Sequence, residues 1–484
     1  MNLFGRPLSC TAFGRNVKDK TYDLCVVGAG FAGLNALYTA LRYFRKGAQV
    51  LLIDKNNGVG GMWRGTYSYV RLHQPYEYFT FDNLKWDLGV ERGHLASRSE
   101  ILSHFERAMR EIRDKLDLEC LFDCTYRGYQ PFGGGVYVEL ESGGESKRVR
   151  TRMLVNAVGA DIEQKKPLVF SSKRVRSIVP DEIDSITSNT GKPISFYLLG
   201  SGKTGMDCAY NLFSQDHGFS KRVTLIAGRG TLFRLRDDLF PRSFCKRLVS
   251  GRILSDSVFD DFIKPWNGDN TAEVLKRLRD EKKLVSLVRD SENYQNGIIS
   301  TRELRAVERG LGGRIIKGHV EDIIDDNHHR PVMVLRDGTR LEVNEKAVFV
   351  NCTSNLITKE MRLEPVLSEC GRVLTTSFFL GLSGSSACFL SHAFFLGRLA
   401  EVSKGLHILR PDGEPKNEVP FRIFLGSLAN ALLLAEVIPV SILLSNRMNM
   451  TLWYPWYRRL ISGGRLMLNK KYVLQKADRL LRDK

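Results

Sequence analysis

Two glycine-rich segments carry the chemistry that this chain is equipped for. Gly28-Ala29-Gly30-Phe31-Ala32-Gly33 and Gly200-Ser201-Gly202-Lys203-Thr204-Gly205 share the G-x-G-x-x-G spacing and lie about 170 residues apart. Glycine is needed there because a side chain would keep a pyrophosphate away from the N-terminus of the following helix and its free N–H groups. One such turn binds one dinucleotide. Two in a single chain imply that two nucleotides meet, which is how a flavin is reduced by a nicotinamide.

The flanking residues supply the elements that must position these turns. Tyr22 to Val27 reads as a buried strand, and a helix is expected from Ala32 to about Tyr43, apolar at Leu34, Leu37 and Leu41. A second strand, Val50 to Ile53, ends on Asp54-Lys55. Asp54 stands 21 residues after Gly33, close to the spacing of a ribose-binding carboxylate. An acid there disfavours a 2′-phosphate, so the first site suits FAD or NAD. Around the second turn, Pro193 to Leu199 is expected as a strand, Met206 to Phe213 as a helix and Arg222 to Ala227 as a further strand. The acid is missing after that strand, where the chain reads Ala227-Gly228-Arg229. Arg229 favours a 2′-phosphate and hence NADPH, with Lys203 and Thr204 available to a phosphate. A P-loop is excluded, because Tyr197 stands where its first glycine is required.

Between the turns come Gly60-Gly61-Met62-Trp63-Arg64, then Arg71-Leu72-His73-Gln74-Pro75, then Asn156-Ala157-Val158-Gly159-Ala160. In these segments and in both turns, over roughly residues 20–400, the chain resembles the flavin-containing monooxygenase superfamily, which includes Baeyer–Villiger enzymes, N-hydroxylases and the plant auxin-forming enzymes. The resemblance implies an α/β fold with two Rossmann-like domains, one for FAD and one for NADPH, and a helical C-terminal extension. It places Gly60, Gly61, Trp63 and Gly159 against FAD, and Arg71 and His73 near the flavin ring, where both are candidates for a direct catalytic part. One family motif is altered. The F-x-G-x-x-x-H signature is matched only by Phe170 to Arg176, with Ser172 for the glycine and Arg176 for the histidine. That motif is tied to NADPH handling and oxygenation in the family.

The resemblance implies a monooxygenase that takes O2 and a small, lipophilic organic substrate. A dehydrogenase passing electrons to a quinone, and a non-catalytic flavoprotein, stay open as alternatives. No Ser-His-Asp set and no metal-ligand spacing is present, and Met62 and Trp63 occupy the place where related disulfide reductases carry their redox cysteines. The nine cysteines are scattered, as expected in a reducing, cytoplasmic setting. A transit peptide within residues 1–18, basic and without an acid, stays open.

The net charge is +18, and the tail from Arg447 to Lys484 holds ten Lys or Arg against Asp478 and Asp483. No nucleic-acid reader motif accompanies it. The run Leu425–Leu444 is apolar apart from Glu436 and a few polar residues, and it precedes Trp453-Tyr454-Pro455-Trp456-Tyr457 and the basic tail. A buried core helix, a helix lying in a membrane interface and a membrane span all fit that pattern. The expected division is a first FAD-binding part over 20–165 and an NADPH-binding domain over 166–345, with a helical insertion at about 230–310. A return to the FAD domain over 346–410 and a basic extension over 411–484, joined by a linker at 411–417, complete it.

Overall fold

The computed structural model describes residues 20–159, 165–189, 194–215, 221–353, 364–376, 383–409 and 417–481. The first strand, β1 (Thr21–Val27), is apolar along nearly its whole length because both of its faces are covered. It lies parallel to β2 (Gln49–Ile53) on one side and to the far end of β6 (Glu145–Asn156) on the other. β3 (Asp117–Leu121) extends the sheet beyond β2. β4 (Thr125–Phe132) and β5 (Gly135–Ser142) form an antiparallel meander on the near half of β6. The far half of β6 pairs with a strand from much later in the chain, Val373–Thr375. The chain therefore leaves this sheet after Asn156 and returns to it.

The excursion builds a second parallel sheet. Its order is Ile315–Ile316, β9 (Val223–Ile226), β8 (Phe196–Leu199), Val348–Asn351 and β7 (Arg176–Ile178). Both sheets are left at equivalent places. Asn156 caps its own exit by accepting from Val158 N–H at 3.2 Å, and Asn351 does so from Thr353 N–H at 3.2 Å.

Helix α1 (Phe31–Ala40) follows the first turn, and α2 (Arg98–Arg113) covers the same sheet. The N-cap of α2 is Ser97 rather than the nearby Ser99. Only Ser97 has a glutamate three positions on, and its N–H donates to Glu100 Oε2 at 2.7 Å while its own hydroxyl accepts from Glu100 N–H. After α3 (Ile183–Asn189), helix α4 (Lys203–Gln215) opens directly on the second turn, three residues earlier than expected.

One expectation needs correction. The 230–310 insertion is not purely helical, since it carries a sheet of Leu284–Val285, Leu232–Leu235 and Tyr294–Ile299. Its central strand was concealed by Arg234, which is buried, donates to Ser257 Oγ at 2.7 Å and lies over the Phe262 ring. The segment after 417 is the expected helical C-terminal extension, and of the three readings left open for its apolar run the structure shows a helix packed in the core. The helix Val419–Val437 buries Phe421, Leu425 and Ala429 against the insertion, while Leu434 and Val437 join the core of the first domain. It is the one described helix long and apolar enough to cross a bilayer, and 61% of its apolar window is buried in the fold. The Leu425–Leu444 run is not one helix, because Pro439 breaks it before Val440–Ser445. Farther on, the Asn446 side-chain amide donates to Asp82 and to Cys388, whose neighbour His392 is held by the Tyr43 hydroxyl at 2.8 Å. This polar knot ties the C-terminal region into the first domain. Of the expected linker, residues 411–416 lie outside the described residues.

Candidate functional site

The first turn is shaped by backbone crowding. Gly28 has φ +101° and donates its N–H to Ile53 O at 2.7 Å, and a Cβ there would stand 2.6 Å from Ala157 O. A Cβ on Gly33 would come within 1.7 Å of Gly28 O, so helix and turn touch only because both residues are glycine. The Gly60–Gly61 loop lies directly on the turn. Gly61 has φ +52°, and its Cβ would be 2.8 Å from Gly30 Cα. No side chain caps α1 at Gly30, which leaves its first N–H groups to a ligand. Asp54 is buried, with Oδ2 accepting from Ala29 N–H at 2.6 Å and Oδ1 from Asn56 N–H at 2.7 Å. It locks the turn and keeps lone pairs for a ribose hydroxyl. Lys55 is exposed beside it, and Gly159 sits at the edge of the same strand ends with open space around it.

Trp63 is half-buried and held by Arg98, whose Nε donates to Trp63 O at 2.9 Å. Its ring meets Phe79 edge-on, and Phe79 stacks on Phe31 with centroids 3.9 Å apart. An aromatic layer thus lies over the entrance of α1, and the motif pattern pointed to only one of its three members.

The second turn repeats the first. Gly200 has φ +112° and donates to Ile226 O at 2.8 Å, and a Cβ on Gly205 would stand 2.0 Å from Gly200 O. Gly202 differs, because a Cβ there would meet nothing within 4 Å. Its lack of a side chain is not required by packing. Ser201 is tied inward, with Oγ donating to Ala227 O at 2.9 Å. Arg229 is exposed just past β9, where a 2′-phosphate would lie.

Lys203 points away from solvent. Its ammonium is paired with Asp207, one helical turn on, and with Glu303 Oε1 at 3.1 Å. Glu303 also holds Arg236 Nη1 at 2.9 Å, and Arg236 Nε donates to the carbonyl of His73 at 2.6 Å. At the other end, Asp207 accepts from the Tyr67 hydroxyl at 2.8 Å, and Thr204 lies against that hydroxyl. The loop that carries His73 in the first domain and the helix that opens on the second turn are therefore joined by one buried chain of charges. Burial raises the Glu303 carboxyl, but the Lys203 and Arg236 charges outweigh it and hold its pKa at about 2. Burial opposes the Lys203 charge, yet Asp207 and Glu303 win and push its pKa up. Enclosure and the same two cations lower His73 to about 3, so its imidazole is neutral at physiological pH.

The structure brings His73 to this joint but not Arg71, which is exposed on the loop and donates to Leu95 O at 3.0 Å. Ser172 and Arg176 are engaged elsewhere, Ser172 with Asp325 at 2.6 Å and Arg176 with Glu182 at 3.2 Å. Tyr67, Asp207, Arg236 and Glu303 went unread in the sequence. The Lys203–Asp207 spacing of four and the Ser300-x-x-Glu303 cap were visible, but not their meeting. Cys208 and Cys352, with sulfurs 3.6 Å apart, also meet under the second turn, where burial pushes the Cys208 thiol up and suppresses its nucleophilicity.

Residues 22–246 match the pyridine nucleotide-disulphide oxidoreductase family. Over this span the chain carries that oxidoreductase fold. The match bears out the two-dinucleotide flavoprotein resemblance and the FAD and NADPH pair that goes with it. An uncharacterised protein of Mycobacterium tuberculosis is 26% identical over 357 residues, 69% of this chain and 60% of the relative. The alignment thus spans 60% of the length of that relative. Among solved structures, an ornithine hydroxylase from Pseudomonas aeruginosa is similar, with TM-score 0.46 and 14% identity over 78% of this chain and 100% of that one. A bacillithiol disulfide reductase from Bacillus cereus gives 0.39 and 13% identity over 80% and 99%.

Proposed function

We propose that the protein is an FAD-dependent NADPH oxidoreductase that works as a monooxygenase on a small, lipophilic organic substrate. The observation that carries this reading is the charged joint between His73 and the second turn, which fixes two glycine cradles of one chain against each other. The residues fit both groups. Gly28, Gly30 and Gly33 with Asp54, Gly61 and Trp63 would hold FAD, and Gly200, Gly202 and Gly205 with Arg229 would hold NADPH. A bound FAD would supply two-electron redox chemistry between a nicotinamide and dioxygen. This chain positions and shields. Arg236 orients the His73 carbonyl, Lys203 sets the angle of α4 rather than holding phosphate, and Phe31, Phe79 and Trp63 keep water from the entrance of α1. The neutral His73 ring would add no charge beside a bound flavin and could donate or accept one hydrogen bond there.

A second reading, a dehydrogenase passing electrons to a quinone, is favoured by Ser172 and Arg176, whose engagement with Asp325 and Glu182 leaves the family's oxygenation motif without its usual residues. A flavoprotein without catalysis is the third. The purified protein, loaded with FAD and given NADPH, distinguishes them. Bleaching of the yellow colour with oxygen uptake matching product oxygenation supports the monooxygenase. Bleaching with quinone reduction and little oxygen uptake supports the dehydrogenase, and no bleaching removes both.

A further inference from the structure

The helix Trp456–Leu468 presents an exposed apolar face that none of the described residues covers. Trp456 is 70% exposed, Leu460 53%, Ile461 67% and Leu468 88%, and Met467 lies among them. At 100° per residue these five fall within an arc of about 140° on one side of the helix. The opposite side is docked, with Ser462 buried and donating to Asp256 at 2.8 Å. A distant segment joins the same surface. The helix Phe244–Leu248 lies against the start of Trp456–Leu468, because Tyr457 donates to Leu248 O at 2.8 Å and Arg458 to Arg247 O at 2.9 Å. It adds Phe244 and Val249, 63% and 80% exposed. Val440 and Leu444 are exposed too, and Arg459 ties Leu444 O to the helix.

The charge around this face is predominantly positive. Residues 242–253 contain Arg242, Lys246, Arg247 and Arg252 and no acid, and residues 440–472 contain Arg447, Arg458, Arg459, Arg465, Lys470 and Lys471 and no acid. Glu91, Asp260, Asp261 and Glu436 pair with Arg242, Arg465, Arg252 and Lys470, which leaves Lys246 and Lys471 exposed at the rim and the cationic excess in place. Large apolar side chains clustered on a surface mark an interaction site, and a cationic collar around an aromatic-bearing amphipathic helix matches an anionic bilayer surface. We propose that this face lies in the interface of an anionic membrane, with Trp456, Leu460, Ile461 and Leu468 inserted at headgroup depth. The face is one packed layer from the joint described above. Trp453 and Tyr454, just before the helix, pack on Tyr78 and on Leu239 and Phe240, which stand three and four residues after Arg236.

The test uses the full-length protein, vesicles of phosphatidylcholine alone or with phosphatidylglycerol, and flotation. Binding is expected to vesicles with phosphatidylglycerol, to weaken as salt rises and to be negligible on phosphatidylcholine. Ile461→Glu with Leu468→Glu should lower partition at least about tenfold, and Lys246→Glu with Lys471→Glu by a similar factor. All four positions are solvent-exposed, so circular dichroism and NADPH-dependent bleaching should match the parent. No binding by the parent, or binding indifferent to both pairs, overturns the proposal. So does a parent that sediments as a dimer, binds no vesicle and becomes monomeric in Ile461→Glu, because the face would then cover a second copy. Bleaching is read separately, so failure on vesicles is distinct from failure of the oxidoreductase reading.

Discussion

Replacing Glu303 by Gln tests the charged joint most directly. Glutamine keeps the length and the helix-cap role, since the partner of Ser300 in a capping box can be Glu or Gln. What is lost is one buried negative charge facing Lys203 Nζ at 3.1 Å and Arg236 Nη1 at 2.9 Å. Holding this carboxyl at about 2 instead of its ordinary 4.5 corresponds to about 3 kcal/mol at neutral pH. Breaking a buried ion pair from one side costs about 3–5 kcal/mol, which agrees in size. Lys203 keeps Asp207 and Arg236 keeps the His73 carbonyl, which places the expected loss at about 2–4 kcal/mol. The folded pKa is depressed, so this stability is fully present above about pH 4.5 and is lost as pH falls through about 2. Urea unfolding of parent and Glu303→Gln should differ by about 3 kcal/mol at pH 7 and by only about 1.4 kcal/mol at pH 3. A difference below about 1 kcal/mol at pH 7, or one that does not narrow with acid, refutes the argument that the two cations fix Glu303.

The two glycines of the second turn should separate packing from ligand. Gly205→Ala, with its Cβ 2.0 Å from Gly200 O, is expected to lower thermal stability sharply. Gly202→Ala meets no neighbour and should stay within about 0.5 kcal/mol of the parent in urea, yet weaken NADPH in a titration at least about tenfold, because its methyl occupies the space of the pyrophosphate. Arg229→Glu should raise the KM for NADPH while leaving that for NADH nearly unchanged, and equal effects on both would remove its role at a 2′-phosphate. His73 contributes in the acid range. Its folded pKa of about 3 lies below the ordinary 6.5, so the folded protein loses stability as pH falls between these values, and His73→Asn should flatten that part of the pH–stability curve.

What the sequence determined by itself was local. A G-x-G-x-x-G run after an apolar strand specifies its own backbone, because the crowding at Gly28 and Gly33, and again at Gly200 and Gly205, arises within one strand–turn–helix and against its neighbouring strand end. The strands that lead into the two turns and Asp54 at the end of β2 were legible for that reason, whereas the exit from the first sheet after Asn156 was read from the family resemblance. Residues whose partners are distant were not. Lys203 read as a phosphate ligand until Glu303, 100 positions on, turned it inward, and Arg236 carried no signal until it met the His73 carbonyl 163 positions away. Arg234 hid a strand, because a buried arginine breaks an apolar pattern while Ser257 and the Phe262 ring satisfy it from elsewhere. The basic tail announced its charge in composition alone. Only the tertiary structure decided that Val419–Val437 faces the core and Trp456–Leu468 faces out, because the side of a helix that is buried depends on which other surfaces the fold leaves uncovered.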